Sequence, residues 1–242
     1  MGFLDAFFGP EKQILSRSRK VADIFAQPED REAAARWLAD EGSESALLGL
    51  LGRFDVTIEN SMKDAAEKEM VADLLVGIGA AVLDPARRYV KRCKHIAWPL
   101  RVIEAIGGTA EALESVLEML DEEVCREDFK PDRKRNLLVK IADWRDPRIV
   151  PSAVRFLADF DEGVRYAAVE AVLSQGSTEG REDLLAALAN PREESNRLRA
   201  RIADAFATRG WTLGERVQEI AARPPAGWTV RGHALVRAAP TG

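Results

Sequence analysis

Six basic side chains lie between Pro85 and Ile103, a stretch that contains no aspartate or glutamate. Helical spacing places them in two adjacent rows on one flank of a predicted helix. Guanidinium and ammonium groups in such rows can hold a phosphate, an acidic peptide or a nucleic-acid backbone. The five closest together form the predicted partner-binding site. This set, named the basic ridge, is Arg87, Arg88, Lys91, Arg92 and Lys94.

The alternative reading of the basic ridge is structural. Charged runs on helices often only solvate the helix surface, or pair with acids from neighbouring helices. The same alternative is favoured for Arg135, Arg165 and Arg199, which take equivalent places when the last three repeating segments are aligned. Repeating segments need matched neighbour interfaces, so these three arginines are predicted to form a structural ladder of ion pairs.

Cysteine and histidine are the residues that could bind zinc. Cys93, His95 and Cys125 supply ligand types that zinc prefers, but a closed structural site needs four ligands at paired short spacings. Cys93 also falls on a predicted helical stripe with Ala86 and Val90, which indicates a small hydrophobe facing the core. No metal site and no cofactor are predicted.

No catalytic constellation is recognisable either. The histidines are His95 and His233, and no serine or cysteine lies in a G-x-S-x-G turn. Carboxylates are abundant, but the acidic run is interpreted as solvated surface and no two of its members are assigned as acid and base. The chain is therefore predicted not to be an enzyme. That run consists of Asp121, Glu122, Glu123, Glu127 and Asp128.

The elements that position these residues show a repeat. Apolar five-residue segments with one embedded acid begin at Val71, Val102, Ala168 and Ile202, and a related segment with lysine begins at Leu138. Their spacing corresponds to a period of roughly 30 to 36 residues, which indicates stacked supersecondary units. Such units are too small to cover their own apolar faces, so each must pack on its neighbours.

Each predicted unit is a helix, a turn and a second helix. Asp161 is a candidate N-cap, Gly176 stands where the same helix should stop, and Leu113 begins the clearest amphipathic stripe, continued by Val116, Leu117 and Leu120. The predicted organisation is an opening segment over 1–27, a repeat array over 28–222 and an irregular C-terminal cap over 223–242. Pro224 and Pro225 stop the last helix, and Trp228 is expected to anchor the cap. Strand signals are nearly absent, except for a possible period-two alternation from Gly227 to Val236. Helix pairs are expected near 28–53, 61–95, 97–122, 130–159, 161–189 and 193–222.

Composition narrows the function classes. Hydrophobic residues make up 46% of the 242-residue chain and the formal net charge is -5, so a core is available but no general attraction to nucleic acid is expected. Two cysteines are too few to stabilise a chain of this size by disulfide bonds, and no signal peptide or membrane span is recognisable. A cytoplasmic protein, monomeric and without a membrane partner, is expected.

One stretch carries a family resemblance. The run from Asp146 to Pro151, followed by Asp161 to Ala171, resembles the short HEAT repeat of the phycobilisome-lyase type. The whole chain is similar to bacterial HEAT-repeat proteins of undefined function, which share the start Met1 to Phe8 and the segment Trp98 to Arg101. The resemblance implies an all-α, armadillo-like fold, an α-solenoid of roughly six antiparallel helix pairs. The start is interpreted as a short docking segment.

Three functions are compatible with that resemblance. The leading one is a non-catalytic scaffold or adaptor that binds a protein partner, with an acidic surface, on the concave face of the solenoid. A nucleic-acid-binding or DNA-repair protein of the alkylpurine glycosylase type is the alternative, although the acidic total argues against it. A bilin lyase is suggested by the repeat's relatives alone.

Overall fold

The computed structural model describes residues 9–124 and 131–239. Within them the chain forms thirteen α-helices and one two-stranded sheet, which confirms the predicted all-α class. None of these helices combines the length and apolar character needed to cross a membrane. The chain divides into two compact units, Met1–Ser115 and Val116–Gly242, and the boundary between them falls inside one helix.

The first unit contains two series of helices that alternate along the chain. In one series α2 packs on α4 and α4 packs on α6, and in the other α1 packs on α3 and α3 packs on α5. Contacts of α2 with α3 and of α5 with α6 join the series. The helices are α1 (Pro10–Val21), α2 (Pro28–Glu41), α3 (Glu44–Leu51), α4 (Ser61–Ile78), α5 (Leu83–Val90), α6 (Ala97–Gly107) and α7 (Thr109–Val124), the last of which crosses the boundary.

The second unit repeats this alternation. Its helices are α8 (Pro131–Ile141), α9 (Ile149–Val154), α10 (Glu162–Ser174), α11 (Arg181–Ala189), α12 (Asn196–Thr208) and α13 (Val217–Ala222). Here α8 packs on α10, α10 packs on α12, and α11 packs on α13, while α9 contacts α10 and α11 contacts α12. Consecutive helices from α2 to α13 fall close to the six ranges expected from the apolar period.

Local capping explains why the helices begin and end where they do. The Asp161 carboxylate accepts a hydrogen bond from the Val164 amide at 3.0 Å, as an N-cap should, and Ser195 does the same for Leu198 at 3.1 Å. Past the end of α10, Gly176 has a φ of +72°, a left-handed conformation that suits glycine. The capping and stop signals of the α10 segment are thus as predicted.

The core consists of the apolar faces of these helices. The amphipathic stripe predicted on α7, from Leu113 to Leu120, is buried, as are Val164, Ala168 and Val172 of α10. The repeated apolar segments therefore supply core side chains.

The C-terminal region is not irregular throughout, which corrects the predicted tail. Strands β1 (Trp228–Arg231) and β2 (Ala234–Arg237) pair as an antiparallel hairpin whose two-residue loop contains Gly232, with a φ of +59°. Trp228 and Leu235 are both buried, β1 contacts α13 and β2 contacts α12. Each strand is too short to be predicted from its own sequence. The two form because the loop brings them together, so that they share backbone hydrogen bonds.

Candidate functional site

The basic ridge lies on α5 and on the turn that follows it. The predicted helix over this stretch ends early, at Val90, and the chain then turns. A carboxylate oxygen of Asp55 accepts a hydrogen bond from the Lys94 amide at 2.9 Å, a long-range contact that holds the turn outside helical geometry. Lys94 is therefore not on a continuous helical row with Arg87, nor is Arg92 on one with Arg88, contrary to the sequence prediction.

Two members of the basic ridge pair with acids of neighbouring helices. Arg87 forms ion pairs with Asp84 and with Glu111 of α7, and Arg88 pairs with Glu44 of α3 at 2.8 Å. Lys91 also interacts with another group of the protein. Asp84 belongs to α5 itself, whereas Glu111 and Glu44 are distant in sequence and are brought near by other helices. Arg87 and Arg88 therefore agree with the structural alternative, in which basic side chains pair with acids of neighbouring helices.

Arg92 and Lys94 have different surroundings. Both are exposed, and neither forms an ion pair with any residue in the described part of the chain. Beside them, burial raises the pKa of the Tyr89 hydroxyl, and the Asp55 carboxylate raises it further. Tyr89 and Asp55 form the fixed base of the turn, and the two cations project from it.

The six basic side chains do not form one surface. Arg101 binds the Glu69 carboxylate through both terminal guanidinium nitrogens, and its guanidinium lies 5.1 Å from the ring centre of Trp98. Trp98 in turn stacks on Phe54 with ring centres 5.9 Å apart. Trp98 is thus part of the packing between these segments.

A second set of charges occupies one repeated position. The fourth residue of α2, α8, α10 and α12 is a cation with little or no exposure, a set that we name the fourth-position ladder. Three of its members pair with an acid that follows the cation in the chain: Arg31 with Glu67, Lys134 with Asp159 and Arg165 with Glu193. The four members are Arg31, Lys134, Arg165 and Arg199.

The geometry of these pairs is similar in both units. Arg165 donates from two nitrogens to Glu193, at 2.7 and 3.0 Å, and also to the carbonyl oxygens of Asp159 and Phe160. Arg31 likewise combines a two-point contact to Glu67 with bonds to preceding backbone carbonyls. A guanidinium that satisfies both a carboxylate and backbone oxygens fixes the entry into its helix.

The predicted ladder of ion pairs is correct for Arg165 and wrong for Arg135 and for Arg199, which pairs with no acid among the described residues. Arg135 is exposed and pairs with Asp132 three residues earlier, whereas Lys134 occupies the ladder position. A shift of one residue turns a helical side chain by about a quarter turn or more, so alignment errors of one residue exchange buried and exposed positions. The alignment also missed Arg31, because that segment lacks the repeat's apolar signature.

A further buried ionic cluster in the first unit was not predicted. Arg53, which is 1% exposed, donates to Asp64 at 2.8 Å and to Glu67 at 3.3 Å, and Lys68 binds Asp64 at 2.7 Å. Burial alone would raise the pKa of Asp64, but hydrogen bonds from Lys68 and Arg53 bring it below the ordinary value. The four-residue spacing of Asp64 and Lys68 is normally that of a solvated helix face.

Glu123 corrects the interpretation of the acidic run as surface. It is buried and pairs with Arg133 at 3.0 Å, while Asp121 is exposed and pairs with Arg155. Glu127 and Asp128 lie outside the described residues. The acids of one run thus have different environments, because one helix face is covered and the other is not.

The structure does not bring the possible zinc ligands together within the residues that it describes. Cys93 is buried, with its sulfur 3.5 Å from the carbonyl oxygens of Val90 and His95. His95 is exposed and Cys125 lies outside the described residues. Within residues 9–124 and 131–239, no group of three or more His, Cys, Asp and Glu side chains is placed to hold a metal ion.

Neither family models nor curated proteins match this chain. The resemblance to HEAT repeats therefore stays a prediction carried by the residues between Asp146 and Ala171.

Proposed function

We propose that this protein is a non-catalytic interaction scaffold, built as a HEAT-type α-solenoid, that binds a protein partner with an acidic surface. The observation that carries the proposal is the fourth-position ladder. A cation with little exposure recurs at the fourth position of α2, α8, α10 and α12, and three of the four cations are bound by an acid from a segment further along the chain. The contact recurs in α8 and α10 of the second unit and in α2 of the first, while the fourth residues of α4 and α6 are Asp64 and Leu100. Matched contacts between neighbouring segments are what a repeat array requires.

The packing within each unit supports the same interpretation. Helices two apart in the chain pack on each other, from α2 to α4 to α6 and from α8 to α10 to α12. Stacked helix pairs present extended surfaces that bind other proteins. The buried carboxylates near these contacts are held by arginine or lysine, an arrangement that stabilises structure and does not present an acid or base to a substrate.

The proposed contact surface is the basic ridge, with Arg92 and Lys94 as its active part. Their charges are not neutralised by ion pairs within the described chain, in contrast to Arg87 and Arg88. Exposed cations of this kind act over a distance of about one Debye length, roughly 8 Å at physiological salt, and chiefly speed association. An acidic partner surface is the complement of such a site.

The test is charge reversal of the two cations. The double variant Arg92→Glu/Lys94→Glu should lower the association rate with the captured partner by about tenfold or more at low salt. The partner is first identified by cross-linking in cells and mass spectrometry, with nuclease treatment before capture. Association rates are then measured with purified proteins at several salt concentrations.

A matched control separates local from general charge effects. Lys63→Glu/Arg231→Glu changes the net charge equally at two other exposed cations that lack an ion pair within the described residues. This control should bind as the wild type does. Equal binding by the ridge variant would exclude the ridge as the contact, and capture that disappears after nuclease treatment would favour the nucleic-acid alternative.

A further inference from the structure

The last member of the fourth-position ladder lacks the acid that the other members have. Arg199, 4% exposed, forms no ion pair with any described residue. One terminal nitrogen of its guanidinium donates to the carbonyl oxygen of Arg223, and its Nε–H group is buried without an acceptor there. A buried charged donor without an acceptor is costly, so this nitrogen favours an added anion.

The nearby carboxylate of Glu193 is already committed. Its two oxygens receive the two hydrogen bonds from Arg165, and one of them also accepts from the Ser195 amide at 2.8 Å. Burial lowers the pKa of Arg199 and the Arg223 guanidinium lowers it further, with partial compensation by Glu193. The guanidinium stays charged, because arginine does not lose its proton in proteins.

A cavity of about 340 Å³ opens at this position. Arg199 and Arg223 contribute two positive charges, and Glu219 contributes one negative charge that also pairs with Arg216 at 3.0 Å. Among the described residues, Arg223 donates to two backbone oxygens, those of Pro191 and Glu193, and to no side chain. The remaining lining is apolar, from Leu188, Ala189 and Pro191.

We infer that this cavity binds the side-chain carboxylate of an aspartate or glutamate from an acidic segment of a protein partner. The ladder defines the chemistry: Arg31 and Arg165, at the same helical position, each take a glutamate carboxylate in a two-point contact. Glu219, the acid of the lining, already pairs with Arg216, so Arg199 and Arg223 leave the cavity positively charged, which suits an added carboxylate. The apolar lining suits the methylene groups of the same side chain.

The inference rests on the proposed function, since it supplies a second anchor for an acidic partner. The cavity at Arg199 differs from the basic ridge in burial and in the binding step that it affects. Arg92 and Lys94 are exposed and act mainly on the association rate, whereas a carboxylate on the buried Arg199 acts mainly on the dissociation rate. The two sites therefore have separate experimental signatures.

The test uses the full chain labelled with ¹⁵N at arginine. The probe is N-acetyl-glutamate amide, which has a single carboxylate, and its neutral control is N-acetyl-glutamine amide. The Nε–H signal of Arg199, assigned by its loss in Arg199→Lys, should move progressively and saturate with the glutamate probe, because this donor has no acceptor beforehand. It should not move with the glutamine control.

Substitutions test which residues form the site. Arg199→Lys keeps the charge but loses the planar donor pair, and should weaken probe binding by about tenfold. Arg223→Gln should weaken it several-fold, whereas Arg231→Gln, at an exposed cation on β1, should leave it unchanged. If Arg199→Lys unfolds, Arg223→Gln still decides, since Arg223 is exposed and its loss leaves the core intact.

Three results would overturn the inference: no shift of the Arg199 signal, equal shifts with the glutamine control, or a shift with inorganic phosphate alone, which would identify a phosphate site. Failure here is distinguishable from failure of the scaffold. If partner association depends on Arg92 and Lys94 but the probe does not bind, only the carboxylate site is wrong. If the probe binds and no partner associates, the cavity is a carboxylate site, but the proposed function is wrong and with it the protein partner as the source of the carboxylate.

Discussion

Arg31 donates two hydrogen bonds to the carboxylate of Glu67, at 2.9 and 2.6 Å, although 36 residues separate the two in the chain. The contact joins α2 to α4 and is further supported by Arg53. It lowers the pKa of Glu67 below its ordinary value of 4.5, with the hydrogen bond from Arg31 as the main cause. Stability is therefore linked to pH through this one carboxylate.

The first prediction is that the chain becomes less stable as the pH falls below about 4.5, the ordinary pKa of glutamate. In the unfolded chain Glu67 takes up its proton near that value, whereas in the folded chain it does so at lower pH. The unfolded state thus binds more protons in this window, and acid favours unfolding. The stabilisation is fully present above pH 4.5 and disappears as the pH falls through the folded pKa.

Urea unfolding at a series of pH values measures this effect. Glu67→Gln should be less stable than the wild type at neutral pH and should show a flatter pH dependence, because the titrating group is gone. Glu59→Gln, at an exposed position nearby, is the control and should keep the wild-type slope. An unchanged slope in Glu67→Gln would contradict the assignment.

The second prediction concerns the Arg165 and Glu193 pair. Burial alone would raise the pKa of Glu193, which is 4% exposed, but hydrogen bonds from Arg165 and the Ser195 amide lower it overall. Removing one partner leaves the other charge buried, so Arg165→Met should reduce the free energy of unfolding by about 3 kcal/mol. The double variant Arg165→Met/Glu193→Gln should recover part of that loss.

A double-mutant cycle by urea unfolding gives the coupling between the two residues. Arg135→Met is the control, since Arg135 is exposed and pairs locally with Asp132. Its expected effect is below about 1 kcal/mol. Additive losses in the cycle would mean that the pair does not act as a unit.

The third prediction is that Trp228 fastens the C-terminal hairpin. Trp228 is buried, and the Arg237 guanidinium lies 4.1 Å from its ring centre while pairing with Asp204 of α12. Trp228→Ala should cost about 3 kcal/mol by loss of buried aromatic surface. Thr229→Ala, on the same strand, should cost less than about 1 kcal/mol. Equal melting temperatures for the two variants would show that the hairpin stabilises nothing.

The fourth prediction compares two glycines with left-handed backbone. Gly180 and Gly176 have φ of +76° and +72°, so an alanine at either position costs about 1 kcal/mol in backbone strain. A Cβ at Gly180 would also lie 2.7 Å from Val172 and 2.9 Å from Val150, whereas none of the surrounding atoms is close at Gly176.

Gly180→Ala should therefore be the more destabilising of the two by about 1 to 3 kcal/mol, the cost of overpacking a core. Thermal unfolding of the two variants measures the difference. Adding Val172→Ala should recover part of the loss in Gly180→Ala if the side-chain clash is its cause. A difference that is unaffected by this second substitution would point to the backbone instead.

Local patterns predict much of this fold. Apolar spacing gives the helices from α2 to α13, because a helix that buries one face must repeat apolar residues every three or four positions. Capping is equally local, and Asp161 was identified from its place before an apolar run. The alternation over 227–236 gives a possible strand signal, but the tail was predicted to be irregular, because the two strands have four residues each and depend on pairing.

The electrostatic partners could not be predicted in the same way. Arg87 and Arg88 lie in a stretch without acids, yet Glu111 and Glu44 reach them from other helices. Likewise, Asp64 and Lys68 have a spacing that suits a solvated face, but Arg53 covers them. Ion pairs depend on which helix faces meet, and sequence periodicity does not specify that.

The fourth-position ladder also bears on how such a chain can evolve. Because Arg165 and its acid Glu193 are 28 residues apart, duplication of one such segment copies a cation together with its counter-ion. Each added segment is then electrically complete, and the number of segments can change without leaving a buried charge in the middle of the array. The exception is the segment of α12, where no acid among the described residues pairs with Arg199 and its Nε–H group stays a hydrogen-bond donor without an acceptor.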